Sequence, residues 1–427
     1  MDLYKGRHHD KTPCMIVGKA LIHSLSDRFQ AVVAETLLEQ GWIDSPEQLS
    51  NPRFINRSVA PHIQKLLERY TIHKMAEFEG TNYWKLSSNP KNFRLAYFLH
   101  SFPQNLYRIA AIWGELHRHG YTFQQSEPLR GLDFGAGQGA ACSGIALAET
   151  LYPCDLPSFG HFALIEKDKG NLNFATLWCE KWFQEQANDW TVKNFHRDID
   201  WQRGLLPRSA PSFNLWLMSY FLSEVLDGFD ETQIKEFAET FMSSLETHLE
   251  MRGIVIISDS SLRPQSRQLL LLRQELIEIA NKKNFDWFKI LLPCLGTQAC
   301  DALKDETDWC HEEVNWWRPS TVKMIDDSLD LKNISLPFSH LVIAKDDRPL
   351  HEILPKFHAT QKLHRVVSEP KKMGGDFEIF TCGGEGKRRA RISKSKVQSV
   401  SRGSVLIEPE FKGSKEATRI MNVREIH

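Results

Sequence analysis

Three groups of residues in this 427-residue chain have types and spacings that can do chemistry. The first is Gly131-Leu132-Asp133-Phe134-Gly135-Ala136-Gly137-Gln138-Gly139. Gly135, Gly137 and Gly139 let the backbone turn sharply and leave no side chain in the way. A ligand can then lie against the peptide groups where the following helix, Ala140–Leu151, begins. Asp133 stands just ahead of the turn, and two more acids end strand-like runs: Glu166 in Ala163-Leu164-Ile165-Glu166 and Asp198 in Phe195-His196-Arg197-Asp198. A carboxylate at the first place suits a pair of ribose hydroxyls, and one at the second suits an adenine amine, through charge-assisted hydrogen bonds. Each acid also reads as a helix N-cap or a surface charge. Ser219 and Tyr220, after the run Asn214–Met218, would wall the reacting end of such a ligand. The second group is thiols: Cys294, Cys300 and Cys310 on an irregular stretch, and Cys382 far downstream. Soft thiolates on loops suit iron–sulfur or zinc, but the spacing is not the short C-x2-C of a zinc ribbon, and by itself reads as scattered free cysteines. The third is the basic run Lys387-Arg388-Arg389-Ala390-Arg391-Ile392-Ser393-Lys394-Ser395-Lys396.

The elements that must position these groups fall into three patterns. Residues 1–125 read mainly helical, with apolar positions at helical spacing from Ala20 to Gln40, around Ile63–Tyr70, and in a pair of helices over Asn92–His117 broken at Phe102-Pro103. Tyr83, Trp84, Tyr97, Phe98, Tyr107 and Trp113 read as packing residues there. From residue 126 to 285 strands (Gly131–Phe134, Phe162–Glu166, Thr191–His196, Asn214–Met218, Gly253–Ser258) alternate with helices such as Asn171–Gln186, Glu231–Glu250 and Arg267–Asn284. That rhythm predicts right-handed βαβ units and a parallel α/β sheet with ligands at the strand C-termini. Residues 286–396 hold the cysteines and short strands at His340–Ala344, Leu363–Ser368, Phe377–Thr381 and Ala390–Ile392, and residues 397–427 form a basic tail with one further strand, Ser404–Ile407.

Composition bounds the class. Apolar residues are 41% and charged residues 25%, ordinary for a globular chain. No apolar run approaches the ~18 residues of a membrane span. The early Asp2 and Asp10 argue against a secretory or transit signal, so we expect a reducing compartment and no disulfide set among the eight cysteines. The net charge of −1 conceals an asymmetry: Gly386 to His427 carries eleven Lys and Arg against four Glu, a net of +7, leaving −8 for the rest. A basic end on an acidic body suggests an anionic partner, the alternative being a solvated charged face.

The glycine turn has two ligand-binding readings and one bland one. After Gly135 and Gly137 a dinucleotide fingerprint needs Gly or Ala at position 140, which Ala140 only just meets. Asp133 followed by G-A-G-x-G looks more like motif I of S-adenosylmethionine (SAM) methyltransferases; a structural turn that binds nothing is the third reading. The fourth strand lacks the Asn-Pro-Pro-Tyr or Asp-Pro-Pro-Tyr of amino-methylating enzymes and the Pro-Cys turn of cytosine C5 chemistry, so no catalytic base or acceptor atom is named.

Several motifs together resemble the methyltransferase-like Rsm family of the mitochondrial small ribosomal subunit, which also has bacterial members. They are Ala96-Tyr97 with Pro103 and Tyr107-Arg108-Ile109-Ala110-Ala111; Leu132–Gly137; Met218-Ser219-Tyr220-Phe221-Leu222-Ser223-Glu224; Pro293-Cys294 to Cys300; Asp308-Trp309-Cys310-His311; Phe338-Ser339; and Cys382 followed by Arg388, Arg389 and Ser393-Lys394-Ser395. The resemblance runs from about residue 90 to 396. It implies a Rossmann-like SAM-methyltransferase sheet, with an N-terminal helical region and a C-terminal metal-cluster, β-rich extension. Read as a methyltransferase sheet, the chain would hold SAM at Asp133, Gly135, Gly137, Gly139, Glu166, Asp198 and Ser219. The resemblance also implies a [4Fe–4S] cluster, with zinc as the alternative, on Cys294, Cys300, Cys310 and Cys382. The partner it implies is small-subunit ribosomal RNA, met through Lys387, Arg388, Arg389, Arg391, Lys394 and Lys396, in a cytoplasmic bacterial-type protein or in the mitochondrial matrix. The chain departs from the family pattern at Leu295-Gly296, where Pro-His is usual after the first cysteine, and at Gln138, where Pro is common. An inactive RNA-binding scaffold and a zinc-bearing methyltransferase of another substrate are the alternatives.

Overall fold

The computed structural model describes residues 19–71, 90–123, 128–356, 362–413, 418–422 and 425–426. Tyr83, Trp84 and Cys14 lie outside them. The chain divides into two compact units, Lys19–Thr360 and a smaller one that holds Gln361–His427.

The larger unit is built on one sheet. Its strands are β1 (Leu129–Phe134), β2 (Phe159–Glu166), β3 (Asp189–His196), β4 (Phe213–Ser219), β5 (Leu249–Asp259), β6 (Phe288–Leu292), β7 (Glu312–Asn315) and β8 (Ser335–Lys345), and their order is β3-β2-β1-β4-β5-β8-β6, with β7 paired to β8. The first five run parallel. β8 runs antiparallel to both β5 and β6, with Ile256 opposite Val342 and Ile290 opposite Ile343. The sheet therefore continues past residue 285, and His340–Ala344, read in the sequence as part of a separate β-rich end, is the core of a strand inside it. Its near-continuous apolar run suits burial on both faces.

Helices cover both faces, as right-handed crossovers require. They are α1 (Lys19–Glu39), α2 (Ala60–Thr71), α3 (Pro90–Arg118), α4 (Ala140–Leu151), α5 (Lys169–Glu185), α6 (Glu231–His248), α7 (Arg263–Lys283) and α8 (Ser320–Leu329). Their ends obey capping chemistry. Asp168 accepts the Asn171 amide at 2.8 Å, and Asp230 and Gln233 form a reciprocal capping box. On one side Phe29 meets Trp178 and Trp182 edge-on at 5.7 and 5.6 Å. On the other, Phe237, Phe241 and Leu272 pack on Trp216, Val255 and Ile343.

The break expected at Phe102-Pro103 is absent: α3 runs unbroken for 29 residues with Pro103 inside it. Proline removes one helical hydrogen bond and crowds the preceding turn. Here Phe102, Pro103 and Leu106 are buried, and the packing of both halves outweighs that loss.

In the smaller unit β9 (Leu363–Val366), β10 (Lys371–Met373), β11 (Asp376–Gly383), β12 (Gly386–Ser393), β13 (Val405–Ile407), β14 (Glu410–Lys412), β15 (Thr418–Asn422) and β16 (Glu425–Ile426) form a second sheet. Its core is Val366, Ile379, Ala390, Ile392, Val400, Leu406 and Ile420. The basic tail expected from residue 397 thus contributes strands to the same sheet as β11 and β12.

Candidate active site: a cleft at the strand C-termini

Parallel strands place their C-terminal ends along one edge of the sheet, and the strand order fixes the lateral order of the loops that leave those ends. A cleft of about 260 Å³ runs there. Asp198, Ile199 and Trp201 come after β3, Glu166 and Lys167 from β2, Gly135 and Gly137 after β1, and Ser219, Tyr220 and Phe221 from the end of β4; Tyr97 of α3 completes the wall. Of the residues read in the sequence as cofactor-binding, Gly135, Gly137, Glu166, Asp198 and Ser219 line this cleft.

Asp133 and Gly139 lie beneath it. Gly139, at φ 87°, is the N-cap of α4, and a Cβ there would sit 2.6 Å from the Cys179 sulfur. Cys142, Cys154 and Cys179 are buried thiols. Asp133 is 1% exposed and neither carboxyl oxygen has a well-formed hydrogen bond. Burial pushes its carboxyl up to about 8, which the Cys142 amide and thiol offset only in part.

Glu166 is held from two sides. Its Oε2 accepts the Gly137 amide at 2.9 Å and its Oε1 accepts the Asp168 amide at 2.8 Å. Burial still holds the carboxyl above its usual range, because desolvation exceeds what the two amides return. Each oxygen keeps a lone pair for a ligand hydroxyl. Lys167 pairs with Glu224 at 3.2 Å, and the Arg197 guanidinium donates to the Leu205 carbonyl at 2.7 Å. The cleft thus presents three carboxylates, Glu166, Asp198 and Glu224, beside two cations that already have partners.

At the β4 end, Tyr220 has φ 57°, a left-handed conformation rare for a bulky side chain. Its amide donates to the Ser258 carbonyl at 2.8 Å. Burial holds the Tyr220 phenol above its usual range, so it stays a neutral hydroxyl. Asp259, pushed up to about 6 by burial, accepts the Ser223 amide at 2.9 Å and so fixes the turn after β4. Tyr97, Lys167, Trp201 and Glu224 also line the cleft, although the sequence marks none of them as a ligand-binding residue. Tyr97 and Glu224 stand within the family-like motifs, and that is their only signal.

Three of the four thiols expected to bind a metal lie in the larger unit and one in the smaller. Among the described residues no three His, Cys, Asp or Glu side chains form a group that would hold a metal ion. Cys294, Cys300 and Cys310 are half-buried on the loop after β6, and Cys382 belongs to the smaller unit. The loop is fastened by α7: Arg267 donates to the carbonyls of Ala302, Asp305 and Asp308, Arg273 to those of Gly296 and Gln298, and Ser266 to that of Cys310.

The basic run is split by strand alternation. Lys387, Arg389 and Arg391 share one face of β12. Arg388 lies on the opposite face with the buried Ala390 and Ile392, its guanidinium 4.5 Å from the Phe411 ring centroid and 2.7 Å from Glu385. Arg389 pairs with Glu378 at 2.5 Å, and Lys387 lies 5.1 Å from the Phe380 ring. Lys394 and Lys396 come next, on a one-turn helix, Lys394–Val397.

Among the described residues, no helix is long and apolar enough to cross a membrane. No family model matches the chain, and no curated protein does. Solved structures similar to it include the plantazolicin methyltransferase BpumL in complex with SAH (13% identity, TM-score 0.33, covering 67% of this chain and 99% of that one). Two others are an O-methyltransferase from Bacillus cereus in complex with SAH (10%, 0.31, 68% and 100%) and the human methyltransferase 10 domain containing protein (14%, 0.30, 58% and 83%). The ligand this cleft can hold is decided by its own residues.

Proposed function

We propose that the cleft binds SAM and that the larger unit is a SAM-dependent methyltransferase domain. One observation carries this reading: the Gly137 amide, which in a dinucleotide turn would face a pyrophosphate, already donates to the Glu166 carboxylate. A phosphate brought to that amide would meet a fixed negative charge in a half-enclosed site, where like charges repel more strongly than in water. A nucleoside that bears a sulfonium and an ammonium meets no such penalty, and its ribose hydroxyls find acceptors on Glu166. The antiparallel β8 between β5 and β6 also departs from the all-parallel 3-2-1-4-5-6 dinucleotide sheet. In this reading the base lies towards Asp198 and Ile199, the ribose at Glu166, and the methionine part over Gly135 towards Ser219. Methyl transfer needs chiefly an acceptor held in line with the sulfonium.

Calorimetry of the full chain tests this. S-adenosylhomocysteine (SAH) binds and NAD⁺ does not, and Glu166→Ala weakens SAH by at least about tenfold, the loss of two charge-assisted bonds. NAD⁺ binding, or no heat with SAM or SAH, overturns the reading and leaves the sheet as a scaffold. For the smaller unit we propose an RNA-binding role. The observation favouring it is the alignment of Lys387, Arg389 and Arg391 on one face of β12 beside Phe380, since cations track phosphates and a ring can stack a base. Small-subunit ribosomal RNA is the finer form of that proposal, and the iron–sulfur cluster forms no part of it.

A further inference from the structure

The strand order places the nucleoside at β3 and β2 and the far end of the ligand at β4, about 14 Å across if neighbouring strands are about 4.8 Å apart. The walls of that far end are Tyr97, Ser219 and Tyr220. Two of the three are joined by a residue that does not line the cleft. Arg108, on α3, is buried and makes no ion pair among the described residues. Its Nη1 donates to Asn105 Oδ1 at 2.7 Å, and Asn105 Nδ2 donates to the Tyr97 hydroxyl at 3.2 Å. Its guanidinium carbon also lies 5.4 Å from the centroid of the Tyr220 ring, within cation–π range. Burying a guanidinium with no carboxylate partner is unfavourable unless other contacts compensate. Here the compensation is one amide oxygen and one aromatic face. Tyr220 is meanwhile held in its left-handed conformation, which persists only where the surroundings enforce it.

From this geometry we infer that Arg108 is a positioning residue for the cleft, fixing Tyr97 through Asn105 and Tyr220 through its ring, and so shaping the wall that receives the amino-acid tail of the donor. This rests on the SAM reading above. Without the guanidinium, Tyr220 loses the contact on its ring and Asn105 loses the donor that orients its amide, so both walls of the tail end slacken while the Glu166 end stays intact.

Two ligands separate the ends of the cleft: SAH, which has the amino-acid tail, and 5′-methylthioadenosine, which lacks it. In calorimetry on the full chain, Arg108→Gln weakens SAH at least tenfold and 5′-methylthioadenosine less than threefold. Arg108→Lys, which keeps a cation near the ring, recovers part of the SAH loss. Asn105→Ala, which removes the Tyr97 arm and the Arg108 hydrogen bond but leaves the guanidinium over the Tyr220 ring, shows a smaller loss of the same selective kind and gives a second readout should Arg108→Gln fail to fold. Unchanged SAH affinity in Arg108→Gln and Asn105→Ala, or equal losses for both ligands, overturns the inference while the SAM reading stands. Binding of neither ligand by the unaltered chain overturns both.

Discussion

At the scale of single residues the cleft depends on which carboxyls are charged. Glu166 is fastened by two amides and lines the cleft, whereas Asp133 sits beneath the turn with little to hold a charge. Ionising Asp133 in the folded chain therefore works against stability. Its carboxyl titrates near 8 when folded and near the ordinary carboxylate value when unfolded, so between about pH 4 and 8 the unfolded chain gives up a proton that the folded chain keeps. By linkage this group's contribution falls as pH rises across that window and is fully restored below it. Asp133→Asn removes the titration. Its melting temperature at pH 8 is expected to exceed that of the unaltered chain by roughly 5 °C, a gap that closes by pH 4. Thermal melts at the two pH values check this, and an equal gap at both would mean that Asp133 is already paired.

At the scale of elements, the site depends on how closely α3 and α4 approach. A Cβ on Gly144 of α4 would lie 2.5 Å from the Leu106 carbonyl oxygen and 2.9 Å from the Ile109 Cβ, and the backbone of α3 has no side-chain freedom with which to give way. Gly144→Ala is thus expected to destabilise the larger unit by about 1–3 kcal/mol, the usual penalty of overpacking, despite alanine's better helix propensity. Chemical denaturation measures it, and a stabilised variant would mean the helices are free to part. The glycine turn, the strands beside it and the acids that end them were legible because their signals are local: apolar runs of strand length, glycines at fixed offsets, carboxylates at run ends. The unbroken α3 was not, because Pro103 reads as a breaker until both halves of the helix are known to be buried. Nor was the place of β8, since Leu341-Val342-Ile343 says strand without saying which partner or direction. Tyr97 and Arg108 escaped for a related reason, as their roles depend on Tyr220 and the cleft more than a hundred residues downstream or on β-strand ends not yet assembled around them.

At the scale of the whole molecule, the two units divide the charge as the sequence does, an acidic body and a basic end. Strand alternation then decides which face each cation of β12 takes. Arg388 is tied to Phe411 and Glu385 on the core side of its sheet, with a side chain only 13% exposed, so neutralising it should loosen that sheet more than it weakens binding to an anion. Lys387, Arg389 and Arg391 stand on the other face, a row of three. Replacing these three with Gln is expected to reduce the slope of log affinity against log salt for a single-stranded RNA by about 2, since each phosphate contact on a single strand contributes about 0.7. The Glu378 bond to Arg389 competes with a phosphate for that guanidinium. Glu378→Gln should therefore tighten RNA binding at low salt and steepen the slope, the opposite sign from the triple variant. Filter binding from low to moderate salt reads both. If the triple variant keeps the slope, or Glu378→Gln leaves it unchanged, the anion-facing surface lies elsewhere, because a row that meets phosphate must respond to both its cations and the carboxylate that holds one of them.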